Sequence, residues 1–197
     1  GALEAGPPVE GGGGWVEPKI FHENVASAFA IAGKTGVPAG AYTFSDLQLV
    51  YDMGTGSPLR TSVNCRAGSY FDGRRVQVIT SPTWNVSPHL ELGTDYQFTR
   101  LRFPTRDQGV DINLVRLRVR SAIDARASGN AFIQYNSTTN RLDFNVRLRY
   151  AFAEGTDLWL VYNEGLDTDR APDGIGAVAP LSLSRALILK YTHTFGF

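Results

Sequence analysis

The sequence predicts an all-β protein: an antiparallel up-and-down meander of about ten strands, closed as a barrel or forming part of a larger one. Three observations predict it. Apolar and polar residues alternate with period 2 over long stretches. Clusters of Gly, Pro, Asn, Asp and Ser punctuate those stretches at the spacing of a sandwich or barrel. Helical periodicity is nearly absent.

Taken in order, residues 1–19 read as a flexible Gly/Pro-rich segment, because Gly11 to Gly14 form a low-complexity run. Residues 20–197 read as the β-domain. Weaker strand patterns cover His22 to Ala32, Ala41 to Asp52, Leu59 to Tyr70 and Arg74 to Trp84. Next, Leu90, Leu92, Tyr96 and Phe98 oppose Glu91, Gly93, Asp95 and Gln97. Val115, Leu117 and Val119 oppose Arg116, Arg118 and Arg120, and Ala131, Ile133 and Tyr135 oppose Asn130, Gln134 and Asn136. The clearest strand is Arg141 to Phe152. There Leu142, Phe144, Val146, Leu148, Tyr150 and Phe152 share one face, and Arg141, Asp143, Asn145, Arg147 and Arg149 share the other. Asp157 to Asn163 and Leu183 to Phe197 complete the series, with Ile188 an apolar exception on the polar face of the last strand. A tight turn is expected at Glu154-Gly155 and a long loop from Gly165 to Pro180.

Composition narrows the class. The chain has 197 residues, with Lys plus Arg 19 balanced by Asp plus Glu 19. Such a neutral chain lacks the basic excess that binding to phosphate backbones requires, so no nucleic-acid partner is expected. A hydrophobic fraction of 43% is too high for a disordered chain. The longest run without a charged residue, Val76 to Leu90, is broken by Pro82 and Pro88, whereas a spanning helix needs roughly 20 apolar residues. Among the basic residues only Lys19, Lys34 and Lys190 are lysine; the rest are arginine, which suits charges held in networks. Cys65 is the one cysteine, so there is no disulfide framework, and it reads as a small buried residue.

Alternation alone leaves two architectures open. In a soluble barrel or sandwich the apolar face is the core and the charged face meets water. In an outer-membrane barrel the apolar face meets lipid and the polar face lines the lumen. Three features favour the membrane. Strands of 10 to 14 residues exceed the common globular length and match what a tilted strand needs to cross a bilayer. Aromatics gather near apolar strand ends: Phe98 and Phe103, Tyr150 and Phe152, and Tyr191, Phe195 and Phe197. Finally, a C-terminal strand with alternating aromatics and a terminal Phe197 is similar to the signal read by the outer-membrane assembly machinery.

In that architecture the lumen-lining residues are Arg66, Arg75, Glu91, Asp95, Arg116, Arg118, Arg120, Asp143, Arg147 and Arg149, with Asp111 and Arg141 beside them. Phe98, Tyr150, Phe152, Tyr191, Phe195 and Phe197 are the membrane-interface aromatics and assembly signal. Partners are then the lipid bilayer of a bacterial outer membrane and its barrel-assembly machinery. Strands cut from a larger barrel would leave open edges, so self-association into a homo-oligomer or union with a larger chain stays open as well. So does a soluble binding module.

Several stretches together resemble one family. They are Val37-Pro38-Ala39-Gly40-Ala41-Tyr42-Thr43-Phe44, Gly68-Ser69-Tyr70-Phe71-Asp72-Gly73, Phe132-Ile133-Gln134-Tyr135-Asn136, Asn145-Val146-Arg147-Leu148-Arg149-Tyr150 and Asp157-Leu158-Trp159-Leu160-Val161-Tyr162-Asn163-Glu164. In order and spacing they resemble the C-terminal outer-membrane-type barrel region of a bacterial family of unassigned function. Members of that family carry an N-terminal carbohydrate-binding, family-9-like β-sandwich. The match runs from about Phe29 to the end, and the carbohydrate-binding domain and earlier strands have no counterpart here. The resemblance implies the tail of a longer polypeptide or a truncated relative, with Phe197 in the periplasm and the 165–180 loop outside the cell. It implies no catalytic residues.

No enzyme chemistry is expected. His22, His89 and His193 are scattered, and no nucleophile elbow, phosphate loop, zinc motif or dinucleotide fingerprint occurs. Asp167, Asp169 and Asp173 are weak candidates for Ca²⁺, since Arg170, Ala171 and Pro172 break the usual loop spacing; no cofactor is expected. The function this points to is non-enzymatic: a membrane anchor, or a passive channel for small solutes.

Overall fold

A computed structural model of the chain describes residues 11–169 and 180–194. Among them there is no α-helix; the strands are β1 (Gly13–Val25), β2 (Phe29–Ile31), β3 (Thr35–Val37), β4 (Gly40–Asp52), β5 (Leu59–Arg60), β6 (Ser62–Tyr70), β7 (Gly73–Thr80), β8 (Thr83–Ser87), β9 (Leu90–Phe103), β10 (Gln108–Ala122), β11 (Ala127–Asn136), β12 (Arg141–Ala153), β13 (Thr156–Asp167) and β14 (Leu181–His193). A short 3-10 turn, Pro104–Arg106, joins β9 to β10.

The main path of the sheet runs β1-β4-β6-β7-β9-β10-β11-β12-β13-β14. This is the antiparallel meander of about ten strands that the alternation predicts. The short strands β5 and β8 lie off the path, and β2 pairs with β3 in a separate hairpin. Among the described residues β1 and β14 are the two ends of the ladder, each with one neighbour.

The chain divides into two compact units. The first comprises Gly1–Pro82 and Asp95–Asn113, the second Thr83–Thr94 and Leu114–Phe197. Among the described residues, a cluster of buried apolar residues lies in the first: Val37, Phe44, Phe71, Leu101, Phe103 and Val110.

Several boundaries differ from expectation, each for a local reason. β1 begins at Gly13, inside the segment expected to be flexible, because Trp15 and Val16 find partners in Val50 and Leu49 of β4. The expected strand 22–32 breaks after Val25, and its remainder forms the β2–β3 hairpin around Ala32 and Gly33, both at positive φ. The expected strand 74–84 splits at Ser81-Pro82, where proline has no N–H to donate. β13 extends to Asp167, so the connection to β14 starts later than Gly165. Cys65, expected to be buried, is only half-buried.

Candidate functional site

The register assigns every strand residue to a face, because directly paired residues project to the same side of the sheet. In the first unit one face carries Glu17, Lys19 and Phe21 on β1, Phe44, Asp46 and Gln48 on β4, Asn64 and Arg66 on β6, Arg75 and Gln77 on β7, and Thr99 and Leu101 on β9. The other carries Val16 and Ile20, Leu47 and Leu49, Cys65, Val76, Val78 and Phe98. Burial separates the two. Asp46 is 5% exposed and Gln48 8%, whereas their neighbour Leu47 is 52% exposed and Ile20 is 71% exposed. The polar side chains are packed inside and the aliphatic ones point out.

The inward face of this unit is layered. At the end nearest the β2–β3 hairpin it is aromatic, with Phe44 stacked on Phe21 at 5.2 Å between ring centroids and Phe71 against Tyr70 at 4.7 Å. Phe103 sits here fully buried, so its expected place among the interface aromatics is corrected. Gly73 makes room for that ring: a Cβ there would lie 2.5 Å from it.

Below comes an ionic layer. Arg66 Nη2 donates to Asp46 Oδ2 at 2.8 Å, and Arg75 donates to the same oxygen. The Asp46 carboxylate is fully buried. The Arg75 guanidinium also lies over the Tyr70 ring, 4.5 Å from its centroid. Beyond it an amide layer follows, with Gln48 Nε2 donating to Asn64 Oδ1 and Gln77 Nε2 to Thr99 Oγ1, each at 3.1 Å. A buried carboxylate is tolerated only when such partners replace its hydration.

In the second unit the same alternation places Glu91, Arg116, Arg118, Arg120, Asp143, Arg147 and Arg149 on one face. Arg120 pairs with Glu91 at 3.0 Å, Arg141 with Asp143 at 2.8 Å and Arg149 with Asp157 at 2.8 Å. Arg116 Nε donates to Gln134 Oε1 at 3.0 Å, and Arg118 lies above Gly93. Asp95 belongs to the polar face of β9, two residues before Gln97. The expected polar set thus falls on the polar faces of its strands. Asp111 is the exception: it pairs with Arg100 and Arg102, which share a face with Val76 and Phe98.

The structure places four members of the aromatic set. Phe98 lies on the apolar face opposite Val78, with Arg100 5.4 Å from its ring centroid. Tyr150 and Phe152 meet edge to face at 5.0 Å, and Tyr191 is exposed opposite Leu158. Phe195 and Phe197 lie outside the described residues, as does Asp173. Asp167 is at the end of β13 and accepts from the Asp169 backbone N–H at 2.8 Å; among the described residues no group of side chains is arranged to hold a metal ion. His22 bonds Thr43 Oγ1 at 2.9 Å, His89 the Ala122 carbonyl at 2.8 Å and His193 Thr156 Oγ1 at 2.7 Å, three separate places.

Two features escape a first reading of the sequence. Asp46 is the hub of the ionic layer, and its signal was available in the alternation of Asp46 and Gln48 with Leu47 and Leu49. Glu164 and Arg185 form an ion pair at 2.6 Å on the apolar face, with the Tyr162 hydroxyl donating to Glu164 at 2.5 Å. Here a charged pair interrupts the aliphatic pattern close to the β13–β14 connection.

No family model and no curated protein matches this chain. Among solved structures, a NanC porin matches with a TM-score of 0.37 and 11% sequence identity, the alignment covering 93% of this chain and 98% of that one.

Proposed function

We propose that this chain is the membrane-embedded β-sheet of a bacterial outer-membrane barrel, acting without catalysis as an anchor or as a passive channel for small solutes. The observation that carries this reading is the sidedness of the first unit, with Asp46, Gln48 and Thr99 buried and Ile20, Leu47 and Leu49 exposed. Exposed aliphatic rows of this extent are costly in water, at about 25 cal/mol per Å² of apolar surface, and cost nothing against lipid. Polar side chains packed against one another are what a narrow lumen requires. The resemblance to outer-membrane-type barrel regions supports the same reading. Recognition by the barrel-assembly machinery belongs to it.

The two ladder ends, β1 and β14, bear on oligomeric state. A sheet edge in a bilayer must have its N–H and C=O groups paired, either within one chain or by another copy. Self-association is therefore a second reading, favoured by that observation.

Denaturing electrophoresis of detergent-extracted protein with and without boiling tests both. A boiling-dependent mobility shift, together with insolubility in detergent-free buffer, is the expected result, and the apparent mass of the unboiled band reports monomer or oligomer. A monomer that is soluble without detergent and shows no shift would overturn the membrane reading. Planar-bilayer conductance then separates channel from anchor.

A further inference from the structure

A shallow groove of about 430 Å³ lies on the polar face of β12, β13 and β14. Its floor is Trp159, Val161 and Ile188, and its flanks are Arg147 on β12 and Lys190 on β14. The register explains the arrangement. Arg147, Val161 and Ile188 form one rung across the three strands, and Arg149, Trp159 and Lys190 form the next. The two cations therefore stand two strands apart, about 10 Å, with apolar side chains between them.

The charges are what set this groove apart. Along this face three arginines are paired with carboxylates, Arg120 with Glu91, Arg141 with Asp143 and Arg149 with Asp157, and Arg116 is held by the neutral Gln134. Among the described residues, Arg147 and Lys190 have no carboxylate partner. The register neighbours of Arg147 are Asn130 and Val161, and that of Lys190 is Trp159. Asp157, diagonal to Lys190, is already held by Arg149 at 2.8 Å. Both cations are exposed and flank the apolar floor. Asn145, hydrogen-bonded to Asn163, closes one end of it.

We propose that this groove binds a small organic carboxylate with a flat apolar body, the anion held by Arg147 and Lys190 and the body laid on Trp159, Val161 and Ile188. The proposal rests on the reading of the polar face as the wetted interior, and it names the class of solute that would dwell there. Arginine offers a carboxylate a bidentate fork and lysine adds a point charge.

The test uses benzoate, with its neutral isostere benzamide, titrated calorimetrically into the detergent-solubilised full chain. Benzoate should bind and benzamide should bind at least tenfold more weakly. R147Q and K190Q should each weaken benzoate about tenfold, the usual cost of losing one charge-assisted hydrogen bond. The charge-keeping variant K190R should stay within about threefold, and R147K, which keeps the charge but loses the bidentate fork, should fall between R147Q and the unchanged chain, which separates loss of charge from loss of fold. Equal binding of benzoate and benzamide, no benzoate binding, or undiminished binding by R147Q/K190Q would overturn the proposal, as would a loss in K190R equal to that in K190Q. Because calorimetry in micelles needs no conduction, an absence of bilayer conductance would count against the channel and leave this result standing.

Discussion

Asp46 and Arg75 meet across Gly68. The three residues form one rung of β4, β6 and β7, and the middle position carries no side chain to keep carboxylate and guanidinium apart. Arg66 reaches the same oxygen from the adjacent rung. The buried charge of the first unit is thus held by a glycine in the sequence as much as by two arginines.

Removing one partner of this cluster should be costly. Asp46→Asn leaves two partly buried guanidinium groups facing a neutral, buried amide, and should destabilise the fold by about 3 kcal/mol. Gly68→Ala should also destabilise, since its Cβ would lie 2.3 Å from the Ser45 carbonyl oxygen and 2.5 Å from Asp46 Cα. Replacing the whole cluster with apolar side chains, as in D46L/R66M/R75M, should recover most of the loss. Urea unfolding from lipid vesicles, followed by tryptophan fluorescence, measures all three.

Phe71 sits at φ 52°, a left-handed conformation that bulky residues rarely adopt. Its ring packs on Phe44 at 5.1 Å, on Tyr42 at 5.2 Å and on Phe29 at 5.8 Å, and these contacts outweigh the backbone strain. Phe71→Ala keeps the strain and loses the contacts, so it should cost about 3–5 kcal/mol in the same unfolding assay. Phe71→Gly should cost somewhat less than Phe71→Ala, the reverse of the usual order of those two residues in a strand.

Leu47 and Leu187 lie near the midpoints of β4 and β14 and are both well exposed on the apolar faces of their units. If these faces meet lipid, Leu47→Lys and Leu187→Lys should each cost about 2–4 kcal/mol in vesicles. Were the faces wetted, each change would fall within about 0.5 kcal/mol of neutral. The size of the loss therefore reports the solvent on that side of the sheet.

Asp124 lies in the turn between β10 and β11. Its Oδ1 accepts from the backbone N–H groups of Arg126 and Ala127, both at 2.7 Å. Those two bonds, Ala127 first, hold its carboxyl below the usual carboxylate value, with the nearby Arg126 charge adding to them. A depressed folded-state pKa contributes stability above the unfolded value of about 4, which is lost as pH falls through the folded value. Amide exchange at Arg126 and Ala127, corrected for intrinsic rates, should therefore show less protection at pH 2.5 than at pH 6. Asp124→Asn should flatten that difference, whereas an unchanged pH dependence in the variant would assign it elsewhere.

Much of this protein is legible in its sequence. The period-2 pattern of Arg141–Phe152 specifies both the strand and which residues share a face, and the turn residues at Glu154-Gly155 locate a real reversal, with Gly155 at φ 71°. Local chemistry suffices for such features, because alternation follows from the pleat and a reversal from backbone sterics. Trp15 and Val16 were hidden in a Gly-rich run, since their strand exists only because β4 offers an edge to pair with. Asp111 went astray for a similar reason: the arginines that hold it, Arg100 and Arg102, come from the preceding strand.

The deepest ambiguity was which side is inside. Leu47 beside Asp46 and Gln48 reads identically whether the leucine is core or surface, because a period of two residues is symmetric under exchange of faces. Curvature and packing break that symmetry, and they are properties of strands assembled together. Only the tertiary structure could place Asp46 within reach of Arg66 and Arg75, residues distant in the chain, and leave Leu47 looking outward.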